Sequence, residues 1–137
     1  MKITIDLAGF TLPALAILER SARMNGKRLR WGVGARRVVA RVLTEVAAQL
    51  RTEIARRKES PGIPAAEGVE LGSFTPWECG VLAKFFEEEV QVYLAMRERQ
   101  QQTPLEGEVC DLKACAVECA QFDQALAVTF AREAKAS

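Results

Sequence analysis

The chain has no histidine among its 137 residues. That absence removes the commonest general base, the commonest metal ligand and any Ser-His or Cys-His catalytic pairing. Long apolar runs are missing as well. The longest early one, Leu12 to Leu18, contains Pro13 and falls far short of the ~18 residues of a membrane span. A secretory signal would need a longer apolar segment behind its basic start, and Asp6 interrupts it. The four cysteines are therefore expected as reduced thiols in the cytoplasm, not as a disulfide framework. Gly32-Val33-Gly34 lacks the third glycine of a dinucleotide fingerprint and the Lys-Ser/Thr of a P-loop. These absences favour a protein that is no enzyme, with no catalytic residue, cofactor, metal site or small-molecule substrate.

What is present is a soluble globular composition, 49% hydrophobic and 27% charged. The length suits one domain, since cores rarely divide below roughly 250 residues. The net charge of +1 conceals an uneven distribution: residues 1–58 hold 13 Lys and Arg against 4 Asp and Glu, and residues 59–137 hold 6 against 14. Such a division implies an anionic partner for the basic half, or pairing of the two halves within the chain or head to tail between copies.

Hydrophobic periodicity predicts a mainly α fold, about four helices in a bundle-like single domain with one or two short strands near the N-terminus. It divides into a basic strand-helix-helix half (1–58), a connecting loop (59–74) and an acidic two-helix half (75–137). "KITIDL" (Lys2–Leu7) alternates, with Ile3, Ile5 and Leu7 on one face. Thr11 caps a helix running to about Asn25, with Leu15, Leu18 and Ala22 as its apolar stripe and Gly26 as its stop. After a basic turn, a second helix from about Gly34 to Lys58 carries Val39, Val42, Leu43, Val46, Leu50 and Ile54 on one face. Arg37, Arg41, Arg51 and Lys58 lie on the other. Within "ESPGIPAAEGVELGS" (59–73), Val69 to Leu71 is a candidate partner strand for the first.

"TPWE" (Thr75–Glu78) and "TPLE" (Thr103–Glu106) share the signature of a helix start: a threonine cap, proline first in the helix and a glutamate that reaches back to the cap amide. The helix from Thr75 presents Trp77, Val81, Leu82, Phe85, Phe86, Val90, Tyr93 and Met96 as an aromatic stripe. That is core material, or a set of partner anchors (Trp77, Phe85 and Phe86) where it is left open. The helix from Thr103 carries a heptad of Leu105, Val109, Leu112, Ala116, Cys119, Asp123, Leu126 and Phe130.

Two acids stand on these apolar faces, Glu89 in the aromatic stripe and Asp123 in the heptad. A lone buried carboxylate costs several kcal/mol unless paired or protonated, so Arg20 or Arg23, or an oligomer interface, is expected to reach them. Cys115 and Cys119, with Cys79 and Asp123, outline a conceivable zinc set, but their helical spacing suits a small core hydrophobe better, and Cys110 points elsewhere.

The most distinctive stretch is "RLRWGVGARRVVAR". Arg28, Arg30, Trp31, Arg36, Arg37 and Arg41 compose either a phosphate grip or a docking surface for acidic protein. In the second case Glu87, Glu88 and Glu89, with Glu106, Glu108 and Asp111, could answer the charge from within the chain. The order of strand, helix, glycine turn and helix over residues 2 to about 50 resembles the ribbon-helix-helix repressor plan. That resemblance implies strands paired across a dimer, with Lys2, Thr4 and Asp6 facing the major groove. The sequence departs from the plan in its acidic Asp6, its long turn and its long second helix. "ITIDL", "LPALAILERSA" and "GARRVVARVLTEVAAQLRTEI" followed by "SPG" also resemble the opening of bacteriophage tail-completion and virion-morphogenesis proteins, whose second half is mostly strands where this one is helical.

The leading expectation is a small interaction or assembly protein, a subunit, adaptor or inhibitor acting through charged helical surfaces, with a protein partner or itself. The alternative is a DNA-binding regulator using residues 27–58.

Overall fold

The computed structural model describes residues 1–60, 62–97, 102–105 and 108–136, with the backbone alone at Arg97, 102–105 and 108–112. Among them are four helices, α1 (Leu12–Leu29), α2 (Ala35–Glu59), α3 (Pro76–Arg97) and α4 (Leu112–Lys135), and four short strands, β1 (Lys2–Thr4), β2 (Gly68–Glu70), β3 (Gln102–Leu105) and β4 (Glu108–Asp111). α1 packs mainly on α2 and α3 on α4, so the core lies between two helical hairpins. The mainly α single domain expected from periodicity is what forms. No helix among the described residues is long and apolar enough to cross a membrane.

Each helix start has a local cause. The Thr11 side chain accepts a hydrogen bond from the Ala14 amide, and its own N–H and hydroxyl donate to Glu118 on α4 at 2.8 and 2.9 Å. The cap thus also ties the two hairpins together. At α3 the capping box closes in both directions, with the Thr75 amide donating to Glu78 at 2.8 Å and the Glu78 amide to the Thr75 hydroxyl at 3.2 Å. α2 starts without a side-chain cap, on Gly34 at φ 62°, a conformation that disfavours any side chain.

Gly26 does not end α1. It is buried within the helix, where a β-carbon would stand 3.4 Å from the Thr44 hydroxyl and 3.6 Å from Leu43. α2 packs directly over this position, at ordinary contact distance for a β-carbon, and the helix continues for three more residues. β1 pairs antiparallel with β2, Ile3 opposite Val69, so the strand expected around Val69 is present. Both of these side chains are buried.

The larger departure is at "TPLE", which does not start a helix. Gln102–Leu105 pairs antiparallel with Glu108–Asp111, and α4 begins at Leu112. The cap signal equals that at Thr75, but the residues C-terminal to it differ. After Glu78 the apolar stripe continues for five turns, whereas Gly107, Val109, Cys110 and Asp111 are all weak helix formers. From Ala116 onward the heptad holds, with Ala116, Cys119, Asp123, Leu126 and Phe130 all buried. The side chains of Leu105, Val109 and Leu112, and of the acids Glu106, Glu108 and Asp111, lie outside the described residues.

Phe130 centres the packing between α3 and α4. It stacks on Phe86 at 6.0 Å and meets Phe74 edge-on at 5.9 Å. Cys79, Cys115 and Cys119 are buried within this core, and the Cys119 thiol donates to the Ala14 carbonyl at 3.7 Å. Burial, with the Glu133 and Glu78 charges, pushes the Cys79 thiol above its usual range.

Candidate functional site: the basic apex and the acids beneath it

The turn between α1 and α2 carries the basic stretch to the surface. Arg28, Arg30, Trp31, Val33, Arg36 and Arg37 are all exposed. Trp31 keeps 82% and Val33 83% of their accessible surface, far more than an apolar side chain retains when packing is its purpose. The Arg30 guanidinium lies over the Trp31 ring at 4.8 Å, and Arg28 donates to the Asn25 side-chain carbonyl at 3.4 Å. Arg41 belongs to a different setting. It lies 4.4 Å over the Phe74 ring and donates to the Ser73 carbonyl at 3.0 Å, fastening the segment before α3 to α2.

Among the described residues, most ion pairs stay within the basic half. The ion pairs seen between described residues are Lys2–Glu67, Arg23–Glu19, Arg51–Glu19, Arg56–Glu53 and Arg57–Glu53. Four of these lie within residues 1–58 and Lys2–Glu67 joins the two halves; Glu87, Glu88 and Glu89 appear in none of them, and Glu89 is reached electrostatically by one apex arginine, Arg28. Glu87 and Glu88 face outward from α3, and the apex arginines form no ion pair with a described acid. α2 even places Arg36 and Arg37 in its first turn, with no acidic residue there. Cations at the positive end of a helix dipole cost stability.

Glu19 and Glu53 are buried acids that the apolar periodicity did not single out. Glu53, 2% exposed, accepts from Arg56 at 2.9 and 2.6 Å, from Arg57 at 3.2 Å and from the Ala66 amide at 3.4 Å. Arg56 also reaches the Ile63 carbonyl, and Arg57 the carbonyls of Leu7 and Phe10. The Arg56 contact outweighs the opposing effect of burial and holds the Glu53 carboxyl below its ordinary range. This cluster clamps the N-terminal segment and the loop after α2, and it occupies the two arginines that border an open cleft beside Ile63. The signal was available, since Glu53 follows Leu50 at the three-residue step of the α2 stripe.

Glu89 and Asp123 meet below the apex. Together with Ser21, Asn25, Tyr93 and Phe122 they border a hollow of about 20 Å³, room for one water molecule and none for a substrate. Neither Arg20 nor Arg23 reaches them: Arg23 is held by Glu19 at 2.9 Å and Arg20 is exposed. Arg28 is the cation that acts on Glu89. Burial raises the Glu89 carboxyl above its ordinary range, Arg28 opposes that rise and Glu88 adds to it. Asp123, 6% exposed, is raised well above its ordinary range by burial and then by Glu89. Burial and the Asp123 charge likewise push the Tyr93 phenol up, against a hydrogen bond with Ser21. The pair is thus set to hold a proton at a pH where exposed carboxyls have lost theirs.

Of the anchor candidates, Phe86 is in the core, 2% exposed, and cannot meet a partner. Phe85 is half-buried against it, edge-on at 5.2 Å. Trp77 stands apart from the rest of the stripe at 61% exposed, in the first turn of α3. Among the described residues no three His, Cys, Asp or Glu side chains converge as metal ligands. Comparison with protein families, curated proteins and solved structures finds no match to the chain.

Proposed function

We propose that this protein is a small cytoplasmic interaction or assembly protein, without catalytic activity, that engages an acidic protein surface through the α1–α2 apex. The observation that carries this reading is the apex itself: Arg28, Arg30, Arg36 and Arg37 surround an exposed Trp31 and Val33, and no described acid pairs with them. Arginine and tryptophan are the residues that most often anchor protein contacts, because each combines apolar area with directed polar groups. The alternative of a DNA-binding regulator uses the same arginines. Its ribbon-like form calls for β1 to pair across a dimer, whereas β1 here pairs with β2 of its own chain.

The chain has two tryptophans, so Trp77→Phe leaves Trp31 as the sole indole reporter at the apex. Titration with polyglutamate and with a random DNA duplex, across rising salt, separates the readings. A salt-sensitive Trp31 fluorescence change with polyglutamate, lost in Arg36→Ala/Arg37→Ala, supports the protein-docking reading. A tighter response to the duplex, weakening by several counterions' worth of salt dependence, favours the regulator. No response to either overturns the apex as a contact surface.

A further inference from the structure

We infer that the surface the apex fits is the acidic ridge of α3 on a second copy of this chain. The inference rests on the reading of the apex as a contact surface and adds the identity of what covers it.

One chain presents open charge of both signs. Arg30, Arg36 and Arg37 face outward at the α1–α2 turn, and Glu87 and Glu88 face outward from α3. Neither set appears among the ion pairs seen between described residues, all of which join residues 1–67. The two patches are neighbours, since Arg28 acts electrostatically on Glu89, which Glu88 also influences. A basic patch beside an acidic one meets its own copy in reciprocal fashion: each apex lies on the other's ridge, and the contact closes at two copies. A polyanion such as a nucleic acid offers nothing to Glu87 and Glu88 and is repelled by them. A second copy answers both signs.

Apolar surface matches as well. Val92 stands one turn beyond Glu88 on the same helical face and is 51% exposed, so Trp31 and Val33 of the apex find an apolar neighbour next to the carboxylates. The docking also accounts for Arg36 and Arg37 in the first turn of α2. Their unfavourable position against the helix dipole is relieved when carboxylates face them.

Sedimentation velocity on the full chain tests this, with Arg36→Glu/Arg37→Glu and Glu87→Arg/Glu88→Arg as paired variants. All four positions are exposed, and circular dichroism checks that each variant keeps its helices. The wild type is expected to dimerise with a dissociation constant in roughly the micromolar range. That association should weaken tenfold or more as salt rises to about 1 M, where screening acts within ~3 Å. Each variant alone should lose the dimer by at least about tenfold, and a one-to-one mixture of the two should regain it, because both contacts then pair opposite charges. A wild type that stays monomeric at low salt, variants that dimerise as the wild type does, or a mixture that stays monomeric would overturn the inference. If Trp31 still responds to polyglutamate in that case, only the self-docking fails. If that response is also absent, the apex reading fails with it.

Discussion

Replacing Asp123 with asparagine should stabilise this protein at neutral pH, by an amount that depends on pH. The aspartate is only 6% exposed, no hydrogen bond or ion pair to it is seen among the described residues, and its nearest charged influence is another carboxylate, Glu89. Asparagine has nearly the same shape, carries no charge to desolvate and offers an N–H that can donate to Glu89. Taking a carboxylate out of water costs several kcal/mol unless it is protonated, and with part of that cost relieved by the proton a gain of about 2 kcal/mol is expected, raising Tm by roughly 4–10 °C. The sign with pH comes from linkage. Because folding raises the proton affinity of Asp123, the native state binds more protons than the unfolded chain between the ordinary carboxyl range and the raised one. Wild-type stability therefore falls as pH rises across that window, by up to ~1.4 kcal/mol per pH unit for one proton. Urea unfolding followed by circular dichroism, from about pH 4 to about pH 8, measures it. Wild type and Asp123→Asn should nearly coincide at the acid end and diverge upward. Glu89→Gln should act in the same direction but less, because Glu89 is less deeply buried and Arg28 already favours its charge. A difference between wild type and Asp123→Asn that is constant with pH, or a less stable variant throughout, would refute the reasoning.

Glu53 should behave in the opposite way. Its carboxyl is held down by Arg56, so the stability it contributes is present above the ordinary carboxyl range and is lost as pH falls through its lowered value. Glu53→Gln should cost about 3 kcal/mol near pH 7, since it leaves two largely buried arginines without their carboxylate, and should remove that acid-side loss from the urea profile. With Asp123 destabilising toward alkaline pH and Glu53 toward strong acid, the wild type should be most stable on the acidic side of neutrality. Gly34→Ala should cost roughly 1–2 kcal/mol by thermal unfolding, because φ of 62° at the start of α2 strains any residue with a β-carbon although nothing crowds the position.

Local chemistry written in adjacent residues was sufficient for much of this architecture. Thr11 and the Thr75–Glu78 box start helices by bonds that span three residues, and the stripes on α2 and α3 bury the side that periodicity marks. The outward position of Arg28, Arg30, Arg36 and Arg37 was legible for the same reason: charged side chains in a turn stay hydrated wherever the turn lies. Three features needed the tertiary structure. Gly26 reads as a helix stop until α2 lies against it and the packing of the two helices carries α1 on for three more residues. "TPLE" carries the same cap letters as "TPWE", but a cap contributes only about 1 kcal/mol, too little to decide between helix and hairpin, because most of a helix's stability in a protein comes from packing its apolar face. The acids diverge most. Glu53, one step from Leu50 on the α2 stripe, proves paired with Arg56 and Arg57, while Glu89 and Asp123, 34 positions apart in the sequence, share one water-sized hollow. Whether a carboxylate on an apolar face meets an arginine, a second carboxylate or water depends on which helices come together, and contacts between helices are set by shape and volume summed over the whole core, which no local stretch of sequence contains.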